Sequence, residues 1–527
     1  EDFTYNAYGQ VTSHTLPDNG SGYRRRDVTV YYTNGTQNGY VSQQITDSQT
    51  LALTTSYQHD AVGNTVRVVD PRGFDSTNIF NQLNQLVRHV SAETAPGSGI
   101  RYKTDTIYDA NNNVIRTEVE NRDENGTVSV GNPTFTTLTT YDLLDNRVTL
   151  LRELGTSFAT NSFRYDPNGQ CTNTLSAEAV IGNQPRNAVQ VRYDERGLVF
   201  QTIRGPGGVN QSTDQADYDA DGKLTRTIQG LESSARTNTI VRDGYGRMIA
   251  TIDPMGNTTT NHYDPNGNLL STRTDGQTND VAGSVGNVRL REVTYAYDPM
   301  DRPTGTTNAF FDIWTETEIA DGQATTTMSY NGLGQMTVTT DDNGHTNRFS
   351  YDTASRIANQ LDHGSNRVAF AYDPNSNVTS RTNTHRSELG GTNQSFVTTH
   401  AYDGLGRLLQ TVDNAGNTNR AAYDSRGNVV LSTDARGNVV SNSFNRLSWL
   451  TSTVRFMTTT GDGGGATTNA ITTQRAYDFN GRVTGMTDDN GHATSYEYDS
   501  LNRLTRTLYA DATDINYTYD VHDNLLT

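Results

Sequence analysis

Three blocks in the second half of the chain repeat at a fixed interval. They are Tyr402-Asp403-Gly404-Leu405-Gly406-Arg407-Leu408, Tyr423-Asp424-Ser425-Arg426-Gly427-Asn428-Val429 and Phe444-Asn445-Arg446-Leu447-Ser448-Trp449-Leu450, whose first residues lie 21 apart. The pattern is an aromatic, Asp or Asn, two variable residues, a small residue, Arg, Asn or Gln, and an aliphatic. It recurs about twenty times along the whole chain, and self-similarity of this kind bounds the fold before any local propensity does. Clear copies include Tyr477-Asp478 with Gly481 and Tyr498-Asp499, and others start at Tyr108, Tyr141, Tyr165, Tyr193, Tyr218, Tyr263, Tyr297, Tyr330, Tyr351, Tyr372 and Tyr519.

Many repeats carry a second turn signal at their middle, as in Asp253 to Asn257, Asp413 to Asn417 and Asp434 to Asn438. Asp caps such turns through its side-chain oxygen, and Gly supplies the positive φ of the bend. Between turns, aromatic and polar residues alternate with period two, as in Tyr496-Glu497-Tyr498 and Phe349-Ser350-Tyr351. That is the signature of strand, and no stretch sustains helical spacing. The expected fold is all-β: a continuous β-hairpin ribbon of about forty strands, roughly 190 Å long and ~20 Å wide. Spent on one turn, such a ribbon makes a ring of roughly 60 Å diameter, open at both ends.

Only 33% of the residues are apolar, too few for a thick core, and the net charge of −18 is also what disordered chains show. Regularly spaced tyrosines, 28 in all, oppose disorder, because disordered segments are poor in aromatics. No Lys/Arg run exists to neutralise successive phosphates, so no nucleic-acid partner is expected, and Arg24-Arg25-Arg26 reads as a solvated turn. No apolar run reaches the ~18 residues of a membrane span. The single cysteine, Cys171, falls at a hydrophobic repeat position and is expected to be a buried structural thiol. The chain reads as one repeat array over 1–527 with no internal boundary, a segment of something longer. Longer repeats place inserted hairpins or loops near 272–296, 304–329, 379–401 and 454–476, including the glycine-rich Gly276 to Gly286 and Gly461 to Gly465.

This constellation resembles the Rhs, or YD-repeat, family, which includes bacterial polymorphic toxins, toxin-complex shell components and teneurins. The resemblance implies a hairpin strip that spirals into a hollow shell, a secreted or cell-surface location, and partners that are other parts of a longer chain or an enclosed cargo domain. The family's proline-rich core motif and a non-repeat C-terminal cargo are not found, so capping, self-cleavage and toxicity are carried to no residue.

Chemistry-bearing motifs are sparse. Asp217, Asp219 and Asp221 match the first half of an EF-hand calcium loop, but the twelfth position is Ile228 where the bidentate Glu belongs. The competing reading is an acidic repeat turn. His345 and His492 lie in matching Asp-Asp-Asn-Gly-His turns, which marks repeat architecture. No Walker loop, metal-binding His pair or nucleophile elbow occurs, and neither an enzyme activity nor a cofactor is expected. The repeat tyrosines, with Tyr402, Tyr423, Tyr477 and Tyr498 as examples, are expected to stack on one another along the sheet. Stacking on sugars is the alternative, with Trp314 and Trp449 as weaker sugar candidates. The expected function is a structural encapsulating or scaffolding shell segment. The alternative is a cell-surface adhesin or carbohydrate- or protein-binding module, with a possible glycan partner. Inserts that pair with neighbouring strands favour the shell, and loops gathered on one outer face favour binding.

Overall fold

A computed structural model describes residues 1–278, 286–387, 391–457, 459 and 470–527. Gly461 to Gly465, and residues 279–285 of the other glycine-rich insert, lie outside the described residues. The described chain forms 41 β-strands, one helical turn at Ala177–Val180 and one 3-10 turn at Gly35–Gln37. The strands make one long antiparallel sheet that does not close. No described helix is long and apolar enough to cross a membrane.

The stretch from Gln394–Tyr402 through Leu408–Val412, Thr418–Tyr423, Val429–Thr433 and Val439–Phe444 shows the construction. Each strand pairs antiparallel with the next, and at every repeat aromatic the register slips by one residue. Tyr402 faces Leu408 after a slip between Ala401 and Tyr402, and Tyr423 faces Val429 after the same slip. Such a bulge adds a residue to one strand and sharpens local twist. It also places the aromatic beside the turn that follows it. Because turns alternate along a meander, the Tyr-Asp turns line one edge of the ribbon, and the second turns, here the return turns, line the other.

Composition is reflected in the packing. Among the described residues, the buried apolar side chains are only Tyr102, Ala159, Ala177, Ala179, Ile203 and Val293. The inserts lengthen hairpins: Leu269–Gly276 pairs with Val288–Tyr297, Pro303–Phe311 with Glu318–Tyr330, Val378–His385 with Gln394–Tyr402, and Leu450–Phe456 with Ile471–Tyr477.

The chain divides into two compact units, each assembled from separate stretches. Unit 1 holds residues 1–160, 331–335 and 348–494, and unit 2 holds 161–330, 336–347 and 495–527. The repeat runs through both. The division therefore follows which stretches of ribbon lie together, not a change of motif.

Candidate functional site

The repeat builds its site from one carboxylate. Asp403 Oδ1 accepts from the amides of Leu405 at 2.9 Å and Arg407 at 2.8 Å, and Gly406 closes the bend at φ 80°. This leaves Oδ2 free to accept from Arg407 Nε at 2.6 Å, so turn and ion pair share one side chain, which is 1% exposed. Asp352 with Arg356, Asp478 with Arg482 and Asp499 with Arg503 repeat the pair at 2.7, 2.6 and 2.8 Å.

The arginine then reaches the next repeat. Arg407 Nη1 donates to the Asp424 carbonyl at 2.9 Å, and its guanidinium lies 4.7 Å over the Tyr423 ring. The Tyr423 hydroxyl donates back to the Leu408 carbonyl at 2.7 Å. The same three contacts occur for Arg356 with Asp373 and Tyr372, and in unit 2 for Arg247 with Asp264 and Tyr263 and for Arg503 with Asp520 and Tyr519. Tyr402 and Tyr477 likewise donate to Val378 and Leu450 at 3.0 and 2.8 Å.

The expected tyrosine-on-tyrosine stack is therefore corrected. Repeat tyrosines sit on alternate strands, roughly 10 Å apart at ~4.8 Å per strand, beyond the 4.5–7 Å over which rings pack. Where the motif has arginine, the guanidinium fills that gap, held by charge attraction to the ring face. In the repeat starting at Phe444 the arginine position is Trp449, which packs on Tyr477 at 5.4 Å. Burial raises the phenol pKa of Tyr402 and Tyr423.

In unit 1 this Tyr-Asp edge meets a return edge about 300 residues earlier in the chain. Thr353 donates to the Asp47 carboxylate at 2.5 Å, and Arg25 to the Ala354 carbonyl at 3.2 Å. Asn375 donates to Asp70 at 2.5 Å, and Arg72 to the carbonyls of Asp403 and Gly404 at 2.8 and 3.1 Å. The amide of Gly404 donates to the Thr94 carbonyl at 2.8 Å, Ser425 and Arg122 bond reciprocally at 3.0 Å, and Arg446 pairs with Glu153. Apart from the Asp403 carbonyl, these contacts use the two variable positions of the Tyr-Asp turn. A Cβ on Gly404 would stand 1.8 Å from the Glu93 carbonyl oxygen, and one on Gly332 2.5 Å from that of Asp18. Unit 2 has the same kind of lock: Asn187 donates to the Ser500 carbonyl at 2.7 Å and Ser212 to that of Val521 at 2.9 Å. An estimate that spends the whole chain on one turn is not met, since edges already touch after about 300 residues.

The Teneurin YD-shell family model matches residues 136–448, more than half of the chain. The chain belongs to the teneurin YD-shell family. An RHS Repeat model matches 477–514 of this YD-shell chain. No curated protein matches it in sequence. Among solved structures it is similar to TcdB2-TccC3 without its hypervariable C-terminal region, at 12% identity and a TM-score of 0.37 over 99% of this chain and 38% of that one. It is also similar to the Tc holotoxin pore of Photorhabdus luminescens, at 12% identity and 0.35 over 98% and 37%. The chain thus spans less than two fifths of the length of either.

Other sequence candidates of this YD-shell chain stand apart from the lock. Asp217 is held by Arg226 at 2.5 Å, and the Asp219 carboxylate accepts the amides of Asp221 and Lys223. No cluster of three or more His, Cys, Asp or Glu that could hold a metal occurs among the described residues, and these three are not brought together. Cys171 is half-buried where a buried thiol was expected, because its strand Cys171–Leu175 lies in a single sheet. His345 and His492 take the Asn position of their turns, with Nδ1 at 3.1 and 3.2 Å from Asp341 and Asp488. Trp314 is exposed at a hairpin tip. The basic triplet is no turn: it opens the strand Arg24–Tyr31, and Arg25 joins the lock. A cleft of about 810 Å³ lies beside the Arg122 to Ser425 contact, and Arg122, Arg426 and Arg446, which line it, each donate to a protein acceptor.

The lock residues Arg72, Arg122, Gly404 and Ser425 escaped sequence reasoning, because they occupy positions that average out across repeats. One signal existed. Gly404 and Gly332 are second glycines in turns that need only one. Yet Gly244 is another, with open space around it, so the signal alone does not locate contacts.

Proposed function

We propose that this chain is a wall segment of an encapsulating YD-repeat shell in a larger secreted or surface-displayed protein, with a structural and not a catalytic role. The observation that carries this reading is the lock of unit 1, where one turn edge after another is hydrogen-bonded to a distant stretch of ribbon. A wall must seal its seams, and backbone amides and carbonyls met across a seam are groups a protease or solvent would otherwise reach. Pairing of the inserts with their neighbours supports the same reading. Enclosed cargo, if the larger protein carries one, would be a toxin domain by family likeness. The adhesin alternative rests on Trp314, an exposed aromatic outside the seam.

Native-state trypsin digestion tests the wall. Arg72 and Arg122 lie at turns, where cleavage normally concentrates. Sealed seams leave both uncut while Arg436, on an exposed return turn, is cleaved. Cleavage after Arg72 and Arg122 as fast as after Arg436 would sink the proposal.

A further inference from the structure

Within unit 1 the two kinds of edge are not all engaged. The Tyr-Asp turns of residues 332–447 are covered by return turns, and there Leu405, at the second variable position, is 37% exposed, with Leu333 and Leu447 half-buried. Among the described residues, the Tyr-Asp turns of the first stretch have no such cover. At the same position Tyr8, Val62, Leu83 and Leu144 are 81%, 65%, 68% and 68% exposed, and Leu143 beside Leu144 is 98% exposed. An apolar side chain thus recurs at the solvent face of four turns of this edge, interrupted at the turn of Asn111, and such a row marks an interaction surface.

The complementary edge is also open. The return turns at 413–416, 434–437 and 488–491 are exposed throughout, whereas in the first stretch the return-turn residues that enter the lock are covered: Asp47 is fully buried and the Arg72 side chain is 11% exposed. Asp434-Ala435-Arg436-Gly437 matches Asp70-Pro71-Arg72-Gly73, so exposed Arg436 holds the position from which Arg72 reaches two carbonyls of a Tyr-Asp turn.

We propose that the open Tyr-Asp edge at residues 6–9, 60–63, 81–84 and 142–145 docks the open return edge at 413–416, 434–437 and 488–491 of a second copy of this chain. The contact continues, between copies, the lock that unit 1 makes within itself, and it rests on that lock, not on the shell reading. Arg436 of one copy donates to turn carbonyls of the next, as Arg72 does within one chain. Leu83 and Leu144 bury against the facing return turns. Because the two patches differ, the association is head to tail, and each copy added leaves one edge of each kind free. The net charge of −18 opposes it, so salt that screens repulsion strengthens it.

Sedimentation of the 527-residue chain from about 1 to about 100 μM tests this. Wild type is expected to gain mass continuously with concentration, more so at high salt. The double variant Leu83→Asn, Leu144→Asn carries residues that Asn111 and Asn168 already supply at that position, so its fold is retained, as circular dichroism would verify. It and Arg436→Glu are each expected to associate at least about tenfold more weakly. Mixed, they are expected to form a complex that stops at two copies, because one intact edge remains on each. A wild type that stays monomeric at the highest concentration, variants that associate like wild type, or a mixture that remains monomeric would each overturn the proposal.

Discussion

The turns at Asp403 and Asp413, ten residues apart on opposite edges of one hairpin, are the same turn in different company. Each aspartate accepts from two amides of its own bend at 2.8–2.9 Å, and each bend closes on a glycine at φ 80° or 84°. Asp403 is buried, paired with Arg407 and covered by Arg72. Asp413 is exposed, and its second oxygen takes the Asn417 amide at 2.8 Å. Local chemistry thus sets the bend at both edges. What the arginine does with the spare oxygen, and what lies across the seam, makes one of them structural glue.

The largest separation is expected from the two aspartates. Asp403→Ala strands the Arg407 charge in a buried seam and should cost about 3–5 kcal/mol. Asp413→Ala should loosen only its own turn. Urea denaturation of both variants checks this, and equal losses would erase the distinction between the edges.

Tyr423→Ala follows, at about 2–3 kcal/mol, less than a fully buried ring because Tyr423 is half-buried. Tyr423→Phe keeps the ring under Arg407 but leaves the Leu408 carbonyl unmet, about 1 kcal/mol. Hydrogen exchange over residues 402–450 should show the loss staying regional, since each repeat leans mainly on its neighbours. Unchanged protection in the alanine variant would refute the Tyr-Arg seam.

Next come two glycines. Gly404→Ala drives a methyl into the Glu93 carbonyl and should cost about 1–3 kcal/mol, with faster exchange of the Gly404 amide. Gly416→Ala meets open space and should cost only its positive φ, about 1 kcal/mol. Reversal of that order would place the lock elsewhere.

The smallest effects are those of pH, shared by both edges in acid and confined to the Tyr-Asp edge in alkali. The Asn417 amide holds the Asp413 carboxyl below its ordinary value, as Asn366 and Asn438 do for Asp362 and Asp434. A depressed folded pKa lends stability above the unfolded value of ~3.9, lost as pH falls through the folded one. Burial raises Tyr423, so its contribution is intact below ~10 and is lost as pH rises beyond that. The Tyr-Asp turns at Asp142, Asp109 and Asp60 are depressed in the same way, so exchange mapped at both extremes should loosen aspartate turns of both edges in acid, and the Tyr-Asp seam alone in alkali.

Much of this was legible in the sequence, for a physical reason. Asx turns, bulged hairpins and period-two strands are short-range consequences of residues within a dozen positions of one another, and Tyr402 to Leu408 contains all of them. The arginine bridge was half legible: Arg407 stood in the motif, but the two-strand spacing that makes it a spacer between rings is a property of the sheet. The lock was not legible. Which variable residue meets which depends on the curvature accumulated over about twelve hairpins, and nothing near Ser425 in sequence announces Arg122.

That separation also orders events in time. At ~5–20 residues per second of synthesis, the turn at Arg72 waits roughly 15–60 s before Gly404 exists to receive it, while a hairpin forms in microseconds. For that interval the early ribbon has to keep its shape with one edge unmet and no core beneath it. A fold grown under such a delay is best served by bonds that each repeat completes on its own, and the aspartate shared between turn and arginine is available as soon as its own turn leaves the ribosome.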